Sequence, residues 1–397
     1  MALNILYVGR CPPNRMGVCL RLGALLNHLA HNGAKIRALD PISPNPPESV
    51  SGYSWVFHDR VTLLDQYKCS YFTTASDPGS TADRERYATY MGELIPQLVA
   101  ADRPDLILIG SEYFIYGLVD VVEQLTIPTV LAATGPFGAY FRGILPKHVG
   151  EELLAAGARL NSVIACAEHM GRDLRAAGLD NVEVIQNFVD TDRFLDGAPD
   201  VNLMQQLDIG GDDFVVLHVS NLTPVKRVLD FAGAARLALQ RDPRLVFVVA
   251  GDGPCRSALE AACAENGTVE RFRFLGWVNQ VQMPALYRLG DVVVMPSETE
   301  GLALTYLETQ ATGRVICASD IPAAREVITH GDTGLLFRMG DIEQQAETIV
   351  LAARDDALRA RIGAAGQAFV RRHHDVSLAV AKHEALFERL VMDRARP

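Results

Sequence analysis

The sequence lacks the short patterns that mark disulfide frameworks, structural zinc sites and membrane spans. Its seven cysteines are odd in number and show no CxxC spacing, which favours reduced thiols. No uninterrupted apolar run reaches the length of a membrane-spanning helix. Residues 1–10 are typical of a first strand and not of a signal peptide. We therefore expect a cytoplasmic protein.

Basic charge and the common catalytic signatures are also scarce. Lys and Arg number 37 against 48 Asp and Glu, the formal net charge is -11, and no block of basic residues stands out. This pattern argues against nucleic acid as a partner. The chain contains no GxSxG, HExxH or P-loop pattern, and its first βα turn is not GxGxxG. These absences exclude the usual signatures of serine hydrolases, zinc proteases, P-loop proteins and classical dinucleotide binders.

The length and the hydrophobic content predict two folded domains. The 397 residues exceed what one ordinary core covers, and 49% of them are hydrophobic. Short apolar runs alternate with amphipathic ones in both halves, for example at 4–9 and 105–110 and again at 214–220 and 291–297. This alternation predicts an α/β fold with two doubly wound domains, each a parallel sheet covered by helices on both faces.

Composition predicts where the domains begin and end. A stretch with Pro, Gly and acidic residues after residue 187 fits an interdomain linker. We predict an N-terminal domain over 1–193, a second domain over 194–375, and a C-terminal helix over 376–397 that returns to the first domain. Residues 41–90, rich in Pro, Ser and Tyr, are predicted to be an irregular insertion or a long loop. A ligand is expected in the cleft between the domains, at the carboxyl ends of the strands.

The stretch SETEGLALTYLETQATG carries two glutamates, Glu300 and Glu308, on a mostly apolar background. A predicted strand ends at Ser297, and a predicted helix follows the turn at Gly301. The unpaired backbone N–H groups at the start of this helix predict a site for phosphate or sugar hydroxyls. The alternative is an acidic helix start with a solvated Glu308. The expected N–H donors belong to Leu302, Ala303, Leu304 and Thr305.

Two further loops follow predicted strands and carry candidate ligand groups. The loop after the strand at 214–220 holds Asn221, Lys226 and Arg227. A Lys at a strand end can neutralise a diphosphate leaving group, whereas the alternative is a surface basic pair. Gly17 lies after the first strand and before a helix. That position predicts an anion or hydroxyl site, or else an ordinary βα turn.

An Asp-x-Asp pair, Asp190 and Asp192, has the form that holds a divalent cation in some sugar transferases. Here the pair lies in the predicted linker and has no acidic partner at a strand end. We therefore predict no metal site, and no cofactor besides the substrates themselves.

Several motifs, in order, resemble the retaining, two-domain GT-B sugar transferases of the GT4 type, the glycosyl transferases group 1. The resemblance covers about 160–345 and is carried by VEVIQNFVDTDRF, HVSNLTPVKRV, VVAGDGP, FLGWV and MPSETEGLALTYLETQATG. Glu300 and Glu308 match the E-x7-E signature of that family. The SN…VKRV form is similar to members that transfer N-acetylglucosamine to L-malate. The resemblance implies a GT-B fold of two Rossmann-like domains facing a central cleft.

The resemblance also implies roles for individual residues. Glu308 would hold the nucleotide ribose, Lys226 would meet the diphosphate, and the loop after Glu300 would hold the donor sugar and pyrophosphate. The candidate catalytic residues are Lys226 and Glu300. The candidate donor-binding residues are Gly17, Asn221, Lys226, Arg227, Trp277, Gly301, Leu302, Ala303, Leu304, Thr305 and Glu308, and the candidate acceptor-facing or sugar-facing residues are Asn14, Arg15, Met16, Thr134 and Gly135.

The chain departs from the family pattern at several of these positions. Asn221 stands where many members have a second phosphate-binding Arg, for which Arg227 would compensate. Met16 replaces the first Gly of a Gly pair, Thr134 stands where many members have a donor-contacting His, and Leu302 with the next residue replaces Phe-Gly. The first half matches only weakly, so the resemblance does not imply the acceptor.

Together these features predict a retaining glycosyltransferase. It would move a sugar from a UDP-sugar, such as UDP-N-acetylglucosamine, to a small hydroxylated acceptor, as in the building of specialised metabolites or antibiotics. In the family's front-face mechanism the leaving phosphate oxygen takes the acceptor proton, and neither a protein base nor a metal is required. Two alternatives stay open: a metal-free nucleotide-sugar epimerase of the same fold, and a non-catalytic nucleotide-sugar-binding protein. A homodimer is one option for assembly.

Overall fold

The computed structural model describes residues 2–11, 17–41, 57–64, 81–115 and 117–395. The chain forms two compact units. The first combines Met1–Asn187 with Ser377–Pro397, and the second is Phe188–Val376. Among the described helices, none has both the length and the apolarity needed to cross a membrane.

The first unit is built around a seven-stranded parallel sheet in the order β3-β2-β1-β4-β5-β6-β7. Continuous apolar runs form its central strands, as expected for parallel strands buried on both faces. Its elements are β1 (Asn4–Val8), α1 (Gly17–His31), β2 (Lys35–Leu39), β3 (Val61–Leu63), α2 (Thr81–Ala101), β4 (Leu106–Ile109), a 3₁₀ turn (Glu112–Phe114), α3 (Leu118–Leu125), β5 (Thr129–Ala132), α4 (Pro136–Phe141), α5 (Lys147–Ala158), β6 (Ser162–Ala165), α6 (Glu168–Ala176), β7 (Val182–Val184) and, at the end of the chain, α15 (Val376–Ala395).

The second unit holds a six-stranded parallel sheet in the order β10-β9-β8-β11-β12-β13. Its elements are α7 (Val201–Gln206), β8 (Phe214–Val219), a 3₁₀ turn (Pro224–Lys226), α8 (Val228–Arg241), β9 (Leu245–Ala250), α9 (Arg256–Glu265), a 3₁₀ turn (Val269–Arg271), β10 (Phe272–Gly276), α10 (Met283–Leu289), β11 (Val292–Met295), α11 (Leu304–Ala311), β12 (Val315–Ser319), α12 (Pro322–Arg325), β13 (Leu335–Phe337), α13 (Ile342–Arg354) and α14 (Asp356–His373).

The packing of α8 illustrates why these segments are helices. Its buried residues recur at helical spacing, with Val228, Phe231, Ala232 and Ala235 all covered. They pack into one core with the apolar side chains of β8 and β9. In both sheets the first strand along the chain is the third from one edge, and later strands are added on either side of it. That order sends the connecting helices to both faces of a parallel sheet, so the prediction of two doubly wound α/β domains is confirmed.

The predicted irregular insertion at 41–90 is wrong for its described part. Val61–Leu63 forms an edge strand beside β2, and α2 begins at Thr81. The strand is three residues long, too short to show an alternating pattern. More than half of α2 lies beyond residue 90, outside this range. The ranges 42–56 and 65–80 lie outside the described residues.

The terminal helix α15 belongs to the first unit and carries a buried histidine, His383. Its Nδ1 lies 2.7 Å from the Ala379 carbonyl oxygen, and its ring meets Phe387 edge-on. The pKa of His383 is lowered from 6.5 to about 4, chiefly by burial and also by the charge of Arg21, while the hydrogen bond to Ala379 opposes the shift. The folded protein therefore holds His383 neutral at neutral pH.

We expect the free energy of unfolding to fall as the pH drops from 6.5 towards 4, because the unfolded chain then binds a proton that folded His383 does not. The full shift corresponds to about 3 kcal/mol. Denaturant unfolding of the wild type and His383→Gln, each at about pH 7 and pH 4.5, measures this. The variant should show a flatter pH dependence, and equal dependence in the two proteins would contradict the assignment.

Candidate functional site

The candidate site of the second unit lies where the strand order changes direction. Strand β8 has β9 on one side and β11 on the other, so the chain leaves neighbouring strand ends in opposite directions. In open parallel sheets, ligands bind at such a switch point, outside the carboxyl ends of the strands. The loop after β8 carries Lys226, and the loop after β11 carries Glu300.

The two candidate catalytic residues meet across this switch point. The Lys226 ammonium donates to Glu300 Oε1 at 2.5 Å, and only 18% and 10% of these side chains are exposed. The backbone joins the same loops, because the Glu298 N–H donates to the Val225 carbonyl at 2.8 Å. The structure thus brings together two residues that lie far apart in sequence.

Arg227 points at other carboxylates. Its backbone is left-handed, with φ 49°, and its Nε donates to Asp230 at 2.7 Å while a second nitrogen lies 3.7 Å from Glu298. Asn221 is exposed at the start of the same loop. The two residues flank Lys226 in sequence, but the guanidinium of Arg227 is already engaged with carboxylates.

Helix α11 begins two residues later than expected. The sequence predicted its first N–H donors at Leu302–Thr305, but the helix starts at Leu304, and Ala303 is its N-cap without a side-chain bond. The reason is burial: the Leu302 side chain is only 3% exposed and lies in the turn after Gly301. The N–H groups at the helix start are therefore those of Leu304 and Thr305.

Glu308 is buried, with 8% of its surface exposed. The alternative interpretation of a solvated Glu308 is therefore wrong. Its Oε2 accepts a hydrogen bond at 2.6 Å from the hydroxyl of Tyr287 on α10. Burial raises the pKa of Glu308, while hydrogen bonds from Tyr287 and Gln280 and the charge of Arg193 lower it. The guanidinium of Arg193 itself donates a hydrogen bond to the Gln280 carbonyl.

Sequence reasoning missed Tyr287, Arg193 and a buried histidine at the end of β8, His218. The imidazole of His218 is fully buried and lies between the Val294 carbonyl and the Ser220 hydroxyl. A polar ring inside the apolar run FVVLHV was the only sequence signal for it. Tyr287 looks like an ordinary core residue of α10, and only its hydrogen bond to Glu308 distinguishes it from one.

The remaining second-unit candidates have less specific surroundings. Trp277 follows β10 and is half-buried, and Gly301 lies in the turn before α11. Asp190, weighed as half of a cation motif, caps a turn by accepting the Arg193 N–H at 3.1 Å, and Asp192 is exposed. Across the described ranges, no group of three or more His, Cys, Asp or Glu residues is arranged for a metal ion.

In the first unit, the residues that follow β5 donate hydrogen bonds to a buried carboxylate, that of Glu112. Thr134 donates to it through both its N–H (3.0 Å) and its hydroxyl (2.9 Å). The N–H groups of Gly135 and Phe137 donate to its other oxygen at 3.2 and 3.3 Å. Burial raises the pKa of Glu112, against these hydrogen bonds. The candidate residues Thr134 and Gly135 therefore act first as partners of Glu112.

Gly17 is the first residue of α1, which follows the β1 loop as predicted. The candidates Asn14, Arg15 and Met16 lie outside the described residues.

Comparison with known proteins relates this arrangement to one family. Residues 201–369 match the family model described as glycosyl transferases group 1. N-acetyl-alpha-D-glucosaminyl L-malate synthase of Bacillus anthracis is 27% identical over 214 residues, which are 54% of this chain and 55% of that protein. D-inositol 3-phosphate glycosyltransferase of Frankia alni is 31% identical over 250 residues, 58% of this chain and 60% of that protein. The matches thus span less than two thirds of these relatives.

A solved structure covers more of the chain. The Anabaena protein HepE, crystallised with UDP and glucose, superimposes with a TM-score of 0.75 at 20% identity, covering 98% of this chain and all of that one. At this identity the likeness concerns the fold. The two parallel sheets and this likeness make the chain a two-domain α/β protein of the GT-B fold, as the sequence predicted.

We expect Tyr287→Phe to lower the free energy of unfolding by about 1–3 kcal/mol, because buried Glu308 then loses a hydrogen-bond donor. Urea denaturation at neutral pH measures this. Tyr306→Phe is the matched control, since the buried Tyr306 hydroxyl has no hydrogen-bond partner among the described residues. Its removal should be nearly neutral. Equal losses in both variants would show that the Tyr287–Glu308 bond adds nothing.

Proposed function

We propose that the protein, whose residues 201–369 match the model of the glycosyl transferases group 1 family, transfers a sugar from a nucleotide-diphosphate donor to a small hydroxylated acceptor. The observation that carries the proposal is the largely buried Lys226–Glu300 pair, which lies shortly before α11 in the chain at the switch point of the second sheet. Positive charge at such a strand end suits a departing diphosphate.

In this proposal the diphosphate is held by two sources of positive charge. One is the Lys226 ammonium, which a diphosphate would share with Glu300. The other is the start of α11, where the N–H groups of Leu304 and Thr305 and the helix dipole favour an anion. These groups supply the charge stabilisation that a divalent cation gives in other transferases, so we propose metal-independent transfer.

The nucleotide ribose is assigned to Glu308. Tyr287 hydrogen-bonds one of its carboxylate oxygens, which fixes the orientation of the group. A carboxylate accepts hydrogen bonds and so suits a diol such as the ribose 2′ and 3′ hydroxyls. The family resemblance of the Glu300–Glu308 pair supports the same role.

We propose retention by front-face substitution. The bond between the anomeric carbon and the leaving phosphate oxygen breaks, and the acceptor oxygen bonds to the same face of that carbon. The acceptor proton passes to the leaving phosphate oxygen, so the products are the glycoside and the nucleoside diphosphate. No protein base takes part. Lys226 acts because the charge on the diphosphate grows as its bond to the sugar breaks.

UDP is the proposed nucleotide, and N-acetylglucosamine the proposed sugar. Support comes from the names of the similar proteins: one was crystallised with UDP and glucose, and another is an N-acetylglucosaminyl L-malate synthase. Both curated relatives carry small hydroxylated acceptors in their names, L-malate and inositol 3-phosphate. In the family that the chain resembles, the His at the position of Thr134 lies by the C6 end of the donor sugar. Because the Thr134 hydroxyl donates to Glu112, we propose that another group holds the sugar 6-hydroxyl.

The test is transfer by the full chain from UDP-N-acetylglucosamine, UDP-glucose or UDP-xylose to L-malate or inositol 3-phosphate, with and without EDTA. We expect kcat/KM to be highest for UDP-N-acetylglucosamine and unchanged by EDTA. Mass analysis identifies the product, because an epimerase would leave the donor mass unchanged. A preference for UDP-xylose would overturn the hexosamine assignment. Activity lost in EDTA and restored by Mg²⁺ or Mn²⁺ would overturn metal independence.

We expect Lys226→Ala to lower kcat by about 10²–10³, the usual effect of removing one group that stabilises developing charge, with a smaller change in donor KM. Steady-state kinetics with varied donor separate the two parameters. Lys147→Ala is the control, because Lys147 is 83% exposed and pairs only at the surface with Glu151. A Lys226→Ala effect confined to KM would assign the residue to ground-state binding instead.

A further inference from the structure

The two middle strands of the second sheet separate before they end. Strands β8 and β11 pair at Val216 with Val292 and at Leu217 with Val293, and no further. On its other side, β8 stays paired with β9 through Val219. Strand β11 likewise stays paired with β12 through Met295. The gap opens on the side of the sheet from which the Lys226 and Glu300 loops leave.

His218 fills this gap. Its Nδ1 lies 2.9 Å from the Val294 carbonyl oxygen of β11, and its Nε2 lies 2.7 Å from the Ser220 hydroxyl. The ring packs against Phe231 with 5.1 Å between centroids. The side chain thus continues the link between the two strands beyond the point where their backbones stop pairing.

These contacts determine where the protons are. A carbonyl oxygen only accepts, so Nδ1 of His218 carries the proton and donates to Val294. In the neutral ring Nε2 then accepts, and the Ser220 hydroxyl must donate to it. The oxygen of Ser220 is left able only to accept a further hydrogen bond.

The ring is held neutral by its surroundings. Burial lowers the pKa of His218 from 6.5 to about 4. The hydrogen bond to Val294 opposes this shift, the charge of Lys226 adds to it, and the charge of Glu300 opposes it. Lys226 and Glu300 are the titratable groups that act on the ring, and they pair with each other. The direction of the Ser220 proton therefore holds throughout the neutral range.

The backbone of Ser220 is fixed as well. Its N–H donates to the Ala250 carbonyl at 3.1 Å. Gly251 passes so close that a Cβ there would lie 1.8 Å from the Ser220 carbonyl oxygen, and the φ of Gly251 is +136°. With the hydroxyl tied to His218, both the position and the hydrogen-bonding sense of this half-buried side chain are set.

We propose that His218 is a positioning residue of the transfer reaction, which sets the spacing of the Lys226 and Glu300 loops and holds the Ser220 oxygen as an acceptor. An acceptor-only oxygen suits a hydroxyl group of the donor or acceptor substrate and repels a phosphate oxygen. Ser220 therefore recognises a substrate hydroxyl beside the diphosphate site. This inference rests on the proposed glycosyl transfer.

The experiment compares three variants of the full chain. His218→Phe keeps a ring beside Phe231 but loses both hydrogen bonds. His218→Gln can donate to Val294 and accept from Ser220, and so keeps both in principle. His383→Gln is the control, because His383 is also buried, bonds a backbone carbonyl and has a pKa of about 4. Donor KM, kcat, the Kd of free UDP and the melting temperature are measured for each.

We expect His218→Phe to lower kcat at least tenfold, with the Kd of free UDP changed less than threefold, and His218→Gln to recover most of kcat. His383→Gln should keep the wild-type kcat. A His218→Phe variant that loses melting temperature but keeps kcat would reduce the residue to a structural role and overturn the proposal. If the His218 variants do not fold, Ser220→Ala decides: unchanged kcat there overturns it.

A measurement without turnover separates this inference from the proposed function. The ¹⁵N resonances of the His218 ring should show a protonated Nδ1 and an unprotonated Nε2 at neutral pH, with Nε2 shifted by Ser220→Ala. A protonated ring, or a proton on Nε2, would overturn the hydrogen-bond direction even in an inactive protein. Absence of transfer by the wild type with this ring state intact would instead count against the proposed function.

Discussion

One constraint organises the second unit: β8 and β11 stop pairing before they end, and the polar groups beyond that point need other partners. The Val294 carbonyl accepts a hydrogen bond from the His218 ring, and the Val225 carbonyl accepts one from the Glu298 N–H. Lys226 forms an ion pair with Glu300. Where two parallel strands stop pairing, their backbone polar groups lose their partners, and burying such groups without a hydrogen bond costs free energy.

The buried carboxylates of the two units follow a common rule. Glu308 receives the hydroxyl of Tyr287, and Glu112 receives the N–H and hydroxyl of Thr134. Burial raises the pKa of each, and the donated hydrogen bonds oppose that rise. Their orientation is therefore set before any ligand binds. At Glu308 the donor is a side chain of α10, whereas at Glu112 the donors include the backbone of the segment that follows β5, so this carboxylate shapes the end of β5.

The positions of Lys226 and Glu300 could be predicted because each lies in a loop that follows a recognisable apolar strand, and the ends of parallel strands share an edge. The start of α11 was predicted two residues early, since local pattern does not reveal that Leu302 is buried in the preceding turn. Tyr287 and His218 escaped prediction for another reason. Each looks like a core residue within its own element, and the hydrogen bond that distinguishes it, to Glu308 or to the Val294 carbonyl, is made with a distant part of the chain.

The sequence by itself determined most of the strands and helices, and the edge of the sheet at which the polar loops emerge, because apolar patterning and periodicity are local properties of the chain. It did not determine the edge strand β3 or the start of α2. It did not determine that β8 and β11 are neighbours, or that their pairing ends at Leu217 and Val293. Those facts follow from the packing of the whole sheet. They decide which carbonyl lacks a strand partner, which side chain supplies one, and so where the protons of His218 and Ser220 lie.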